Sequence, residues 1–519
     1  MKTSPSASKP ARPRTPSLAA CWITAAAVPV AVHAAVPVDD EVSLTVYSSA
    51  DPAGFDPQRF ISQQRQGYDS NFAWSVPGFG VVRSERTVSL AAGMNELLFT
   101  DVAAFIDPTT VGFSDLTDPT TAVLEQSFRF DLVSPSKLLE RYLDREIEIE
   151  REGPQRIESI RGTLLSATQG QVVLRTADGV KVVPLDDSQV SLPELPGGLL
   201  TKPALVWRLQ AAKGGEHRIR ATYQTGGMTW RSDYNLVLGG DETTADMTAW
   251  VSLMNLSGIS FENARLKLVA GDVQRVEPRR PVMRGRALEM MADSAAAGGF
   301  EQQAFFEYHL YTLPRRTDLP MNSTQQIALF PPVAGFEVSK ELLYAPTMGM
   351  GIFGDPMTRP GVGPTGEGKA SVFVAFENRE DNRLGMPLPA GKVRVFKQDP
   401  KDGTLEFVGE DMIDHTPRNE RVRLRLGEAF DVVGERTVAD FSVDTARKRM
   451  SETIEIEIRN QKDVPQRVTV RERLYRWRNW RIAETSVPER KVDASTIEWT
   501  LEVPAEGSRT IRYRVDYDW

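Results

Sequence analysis

Alternation of apolar and polar residues at period two recurs along most of this chain, and no other feature constrains its fold so strongly. Val42-Ser43-Leu44-Thr45-Val46, Arg86-Thr87-Val88-Ser89-Leu90 and Phe128-Arg129-Phe130-Asp131-Leu132 each place every second side chain on one face. A strand with one face buried has this pattern, and an amphipathic helix does not. Pro52, Gly54, Pro57, Pro77, Gly78, Pro108 and Pro119 punctuate the runs as loops. The chain is therefore expected to be mainly β, built from antiparallel β-sandwich domains. Its 519 residues, 41% hydrophobic and 25% charged, suffice for several packed domains and exclude a disordered polymer.

One short helix interrupts the strands. Ser134 is placed to cap it, Pro135 suits its first turn, and Leu138, Leu139, Tyr142 and Leu143 fall on one side. Beyond it, residues 145–198 read as a small SH3-like barrel of five strands, with a hairpin at Asp178-Gly179 and a turn at Gln169-Gly170. From Ala204 onward one design recurs: a strand ends in Asn, turns and returns. It occurs at Asn255, returning through Ala264–Val269; at Asn378, through Lys392–Phe396; and at Asn460, through Arg467–Val470. Asn tolerates turn geometry and bonds nearby backbone, so each is expected to close a hairpin. The order along the chain is thus an N-terminal β region over 35–144, the barrel, a first sandwich part over 199–278, irregular loops with intervening strands over 279–369, and a C-terminal sandwich over 370–519. The stretches Pro278–Gly299 and Pro346–Gly368, rich in Gly, Pro, Met or Arg, read as mobile surface loops.

The N-terminus has a different character. Lys2, Lys9, Arg12 and Arg14 precede an apolar run from Leu18 to Val32 that ends at Val32-His33-Ala34. A basic region, an apolar region shorter than a membrane span and small residues at a cleavage site form a secretory signal peptide over 1–34. The expected location is periplasmic or extracellular, with Ala35 as first mature residue. Leu18-Ala19-Ala20-Cys21 resembles a lipobox, but its apolar stretch follows the cysteine; a lipoprotein anchored at Cys21 is the minor alternative. Cleavage removes the only cysteine, and with it any disulfide, thiolate nucleophile or cysteine metal site. It also removes four positive charges and no acid, taking the net charge from −8 to about −12. That balance opposes nonspecific binding to nucleic acid. No later run approaches the length of a transmembrane helix.

Gly226-Gly227-Met228-Thr229-Trp230-Arg231-Ser232-Asp233-Tyr234, then Leu268-Val269-Ala270-Gly271-Asp272, Leu388-Pro389-Ala390-Gly391-Lys392-Val393-Arg394-Val395 and Gly507–Tyr513 follow in an order that resembles a bacterial family called domain of unknown function 4139. The resemblance spans roughly Ala204–Trp519. Some members carry a long coiled coil near the N-terminus, and some are labelled mucoidy inhibitors. This chain has no such heptad run, and the barrel-like module stands in its place. The resemblance implies no catalytic residues.

Motifs of chemistry are weak. Gly349, Gly351 and Gly354 spell G-x-G-x-x-G, but in a Pro/Gly loop followed by Asp355-Pro356 rather than opening a helix. Gly363–Lys369 resembles a phosphate loop, but Ala370 stands where a hydroxyl should bind magnesium and a strand follows. Neither supports nucleotide binding, and no cofactor is expected. His217, His309 and His415 are far apart; Asp414-His415 is the one adjacent acid–base pair, and no nucleophile motif accompanies it. Met283, Met290, Met291, Met348, Met350 and Met357 lie in the two loops, where thioethers suit Cu(I) or serve as plain filler; no metal site is expected. The best binding candidate is Arg471, Arg473, Arg476, Trp477, Arg478, Trp480 and Arg481, a basic and aromatic stripe in an acidic chain. The expectation is a non-catalytic envelope binding or scaffold protein that meets an acidic envelope polymer or protein. The alternative is an envelope hydrolase with dispersed catalytic residues.

Overall fold

The computed structural model describes Glu41–Ser48 and, with short gaps, Val76–Trp519. Outside it lie residues 1–40, 49–61, 63–75, 153–156, 274–300 and scattered single or paired positions. The expected signal peptide, Cys21 and the Met-containing stretch over 278–299 therefore fall outside the described residues. Strand accounts for 65% of the structure and helix for 3%, so the chain is mainly β as its periodicity demands. No helix among the described residues is long and apolar enough to cross a membrane, which says nothing of a β-barrel.

Five sheets organise the described chain. An eight-stranded sheet holds Glu41–Tyr47 between Phe79–Leu90, antiparallel, and Phe261–Ala270, parallel. A three-stranded sheet places Ala204–Ala211 between Gly93–Thr100 and Ala122–Arg129. A five-stranded sheet centres on Met228–Leu238, which pairs antiparallel with Thr244–Asn255 and parallel with Gly391–Gln398. One hydrophobic cluster draws on all three: Leu44 and Ile219 from the first, Trp207 from the second, Trp230 and Tyr234 from the third. Between Phe79–Leu90 and its neighbour Gly215–Thr225, Glu85 is almost fully buried. It accepts from Arg83 at 2.6 Å, Arg220 at 2.8 Å and Arg218 at 3.0 Å, and these bonds, that from Arg83 foremost, bring its carboxyl down to about 2.

The helix forms where expected, over Pro135–Arg141, with the Ser134 Oγ accepting from the Lys137 N–H. Leu139 and Tyr142 are buried, whereas Leu143 is 42% exposed because the helix has ended before it. Beside it the five strands of 146–191 pair as one sheet around Ile147, Ile149, Leu164, Val172 and Leu174. The Tyr142 hydroxyl ties the Pro-rich tail, donating to the Glu194 carbonyl at 2.6 Å.

The Asn corners depart from the expected hairpins. Asn255 ends a strand of the five-stranded sheet, and the next strand, Phe261–Ala270, belongs to the eight-stranded one. Asn378 directly follows Gly366–Glu377 of a nine-stranded sheet, and Gly391–Gln398 lies in the five-stranded sheet. Asn460 ends Arg449–Asn460, and Gln466–Arg473, though in the same nine-stranded sheet, is not its neighbour. Each corner is an arch from one layer to the other. The side chain fixes it: Asn460 donates Nδ2 to the carbonyls of Val464 and Pro504, both at 2.9 Å, and accepts at Oδ1 from the Lys462 N–H. Asn255 does the same with Ile259, Pro320 and Ser257, and Asn378 with Met386, Pro417 and Gly385. All three are buried. A hairpin needs no such tie; an arch leaves its own carbonyls unpaired, and the amide satisfies them.

The nine-stranded sheet runs, in spatial order, Asn479–Thr485, Gly507–Asp518, Arg449–Asn460, Arg421–Asp444, Gly366–Glu377, Ser339–Tyr344, Gln466–Arg473, Thr496–Val503 and Arg490–Lys491. It folds over on itself: Ile456, Ile511 and Tyr513 from one half join Val468, Val470 and Trp499 from the other in a single core, with Trp499 and Tyr513 rings 5.0 Å apart. Its strands begin at Ser339, and Gly391–Gln398 and Leu405–Ile413, although within 370–519, belong to the five-stranded sheet.

Candidate functional site

The basic and aromatic stripe does not form one surface. Arg471 and Arg473 share the outer face of Gln466–Arg473, with Glu472 between them turned into the core. After the strand ends, the chain passes to Asn479–Thr485 at the far end of the sheet, carrying Arg478 and Arg481 away. Arg478 lies over Trp477, and Arg481 pairs with Asp516 at 2.9 Å. Trp477 and Trp480 are half-buried against the C-terminal core, Trp480 donating to the Ala494 carbonyl.

Arg476 is corrected outright: its side chain is 0% exposed. It pairs with buried Glu452 at 2.8 Å and donates to the carbonyls of Met357, Arg359 and Val362. A second buried pair stands close by, where Arg436 holds Glu472 at 3.1 Å and donates to the Pro364 carbonyl. The Tyr513 hydroxyl also donates to Glu472. Burial pushes the Glu472 carboxyl up, and the Arg436 guanidinium opposes it. Beyond the end of Gln466–Arg473 the alternation stops, and Leu474, Tyr475 and Arg476 are all buried, with the arginine over the Phe441 ring.

These guanidinium groups also correct the reading of the Met-bearing stretch over 346–368 as mobile. Five carbonyl contacts from Arg476, Arg436 and Tyr475 hold its second half, and buried Thr347 accepts the Arg473 N–H at its start. Gly363 has φ +109, and a Cβ there would lie 1.8 Å from the Tyr475 hydroxyl, so close packing explains this glycine. Gly366 opens a strand, and the phosphate-loop resemblance therefore has no helix to open. Among the candidate histidines, His217 is buried against Asp115 at 2.6 Å, and His415 is exposed, taking the Ala390 N–H at its Nδ1. Asp414 is exposed as well. His309 is half-buried in Tyr308–Thr312, a strand paired on both sides, and desolvation pulls its pKa down.

Arg471 instead belongs to a cleft of about 420 Å³ on the outer face of the C-terminal sheet. Its floor is Leu343 and Thr469, on the adjacent strands Ser339–Tyr344 and Gln466–Arg473. On one wall, Glu341 accepts from Arg421 and from Arg423, the latter at 2.7 Å. Arg423 also stacks on Phe373, 3.5 Å from the ring centroid. On the other wall, Glu498 accepts from Arg471 at 3.0 Å and from Arg490. Arg467 stands at the rim, 74% exposed. Five arginines and two glutamates line the cleft, and at its edge Arg467 also faces Glu502 and Arg421 faces Glu377, each at 3.9 Å, which leaves a small local excess of positive charge in a chain of net charge −8. The two glutamates keep the guanidinium groups in place, and the surplus is available to an anion.

Two of the segments that carry the family resemblance, Gly226–Tyr234 and Leu388–Val395, meet in the structure. The Tyr234 hydroxyl donates to the Pro389 carbonyl at 2.8 Å, and Ser232 pairs with Gly391 across a parallel ladder so close that a Cβ on Gly391 would sit 2.0 Å from the Ser232 carbonyl oxygen. Trp230 donates to the Val46 carbonyl and is buried. Residues 219–519 match the family described as a domain of unknown function, DUF4139. The chain belongs to the DUF4139 family. No curated protein matches it. In this member of DUF4139 the Trp-Arg-x-x-Tyr and Leu-Pro-x-Gly segments are a joint between strands. The arginine cleft lies elsewhere within the matched region, on residues 341–498.

Sequence reading found Arg471 and missed its partners. Arg421-Val422-Arg423-Leu424-Arg425 did carry a signal, a strand with arginine on every outward position. Nothing in the linear order announces that Ser339–Tyr344 lies in parallel beside Gln466–Arg473, which is what brings the two basic walls together.

Proposed function

We propose that this protein is an exported, non-catalytic binding or scaffold protein of the cell envelope, and that its C-terminal sheet holds an acidic partner. The observation that carries the reading is the cleft of five arginines and two glutamates. A surplus of guanidinium donors, held by carboxylates and grouped around one concavity, favours carboxylate- or phosphate-bearing partners. Export rests on the N-terminal sequence, with the mature chain in the periplasm or outside the cell and Ala35 as its first residue.

The test is capture from envelope extract with wild type and with Arg421→Ala/Arg467→Ala/Arg490→Ala. Those three side chains are at least half exposed, and their removal leaves Arg423 on Glu341 and Arg471 on Glu498. Wild type should retain a partner that the variant loses and that salt releases. Retention of every partner by the variant would refute the reading. Fractionation with N-terminal sequencing checks export: a cytoplasmic chain beginning at Met1 contradicts it.

A further inference from the structure

We infer that the cleft takes a segment of acidic oligosaccharide, its carboxylates on the exposed arginines and a hydroxyl on Glu341. The inference rests on the acidic-partner reading above and names the chemistry of that partner.

Three observations favour this class. The first is the donor and acceptor balance. Each oxygen of Glu341 and Glu498 accepts one arginine bond, Arg421 and Arg423 on the first and Arg471 and Arg490 on the second. A carboxylate oxygen has room for a further donor, and Glu341, with 28% of its side chain exposed, can present one, whereas Glu498 is buried beneath its two arginines. A ligand that carries acceptors alone, such as inorganic phosphate, would meet those two carboxylates as like charges. A sugar acid brings a carboxylate for the arginines and a hydroxyl donor for Glu341 in the same short unit.

The second is the backbone. The floor strands Ser339–Tyr344 and Gln466–Arg473 are paired on both sides, the first with Gly366–Glu377 and the second with Thr496–Val503. An extended peptide gains affinity chiefly by adding a strand to a free edge, and this floor offers none. Recognition here must use side chains only, which suits a ligand without a main chain of amides.

The third is size and layout. A cleft of about 420 Å³ is within the ordinary range for a small ligand. Arginine stands on both walls and Thr469 on the floor, with Arg467 at the rim where a continuing chain would leave. Residues of one outer face recur along a strand at roughly 7 Å. Arg467, Thr469 and Arg471 therefore present polar groups in a row, as a chain of repeating units requires.

The experiment is calorimetric titration of the purified chain with four probes: tri-galacturonate, maltotriose, a hexaglutamate peptide and inorganic phosphate. Each is run with wild type and with Arg421→Ala/Arg467→Ala/Arg490→Ala, after circular dichroism and thermal melting have shown the variant folded like wild type. The expected result is that tri-galacturonate binds wild type, that maltotriose does not, and that the variant weakens tri-galacturonate about tenfold or more, as three exposed charge contacts together should. Raised salt should weaken it too. If hexaglutamate or phosphate binds in an arginine-dependent way and tri-galacturonate does not, the saccharide inference is overturned and the acidic-partner reading stands. If tri-galacturonate binds both proteins equally, the inference is likewise overturned. If no probe binds and the variant still captures every envelope partner, both readings fail together.

Discussion

Asn255, Asn378 and Asn460 show what one side chain does when two layers of sheet must be joined. Each spends both amide protons on carbonyls of its own arch and of a neighbouring turn, and each is buried. Asn460→Ala takes the donor from the part-buried carbonyls of Val464 and Pro504, so a loss of about 1–3 kcal/mol in all is expected in denaturant unfolding. Asn460→Asp should be worse, since it removes the donor and buries a charge. Arg476 makes a related point for the core. Arg476→Ala should cost about 3–5 kcal/mol, because Glu452 would be left buried without its partner. A substitution at Arg476 therefore reports on folding, and binding tests belong on the exposed cleft arginines. Glu85 adds a pH dependence. Its folded carboxyl, at about 2, is below the ordinary 4.5. Its contribution is therefore complete above the ordinary value and fades as pH falls toward 2. Thermal melts of wild type and Glu85→Gln should differ clearly at pH 7, and the gap should close between pH 4.5 and 2. A gap independent of pH would contradict the ion cluster around Glu85.

At the scale of elements, strands and the helix were legible in the sequence because their signals are local. Alternation marks a buried face, Ser134-Pro135 marks a helix start, and Asp178-Gly179 marks a hairpin. Pairing was not legible. Period two says which way a side chain points and is silent on which strand lies beside it, so the Asn corners read equally as hairpins or arches. Ladders such as Ser43–Tyr47 against Arg265–Val269, parallel, and Ala204–Ala211 against Gly93–Thr100, antiparallel, show how far apart in sequence neighbours are. The same gap hid most of the candidate site, since Arg421, Arg471 and Arg490 reach one cleft from three strands. The Met-bearing stretch over 346–368 differs for another reason: its composition suggests mobility, whereas two buried arginines distant in sequence, Arg476 and Arg436, supply donors to its carbonyls. The parallel joint between Ser232 and Gly391 offers a test of an element contact. Gly391→Ala forces a Cβ onto the Ser232 carbonyl oxygen and should destabilise by about 1–3 kcal/mol, read as a lower unfolding midpoint.

For the molecule as a whole, a mainly β chain of the DUF4139 family carries a net charge of −8, yet collects five arginines around one cleft of its C-terminal sheet. Circular dichroism should be dominated by strand, with helix far below the roughly one third usual in globular proteins. The proposed account depends on that cleft being used. The most direct measurement is the affinity of a captured envelope partner for wild type and for Arg421→Ala/Arg467→Ala/Arg490→Ala, at low and at high salt. The variant leaves two arginines facing two glutamates and so removes the surplus charge without orphaning either carboxylate. The account predicts binding by wild type that weakens with salt, and binding by the variant that is about tenfold weaker at low salt and nearly insensitive to it. Equal affinity and equal salt dependence for the two proteins would contradict it.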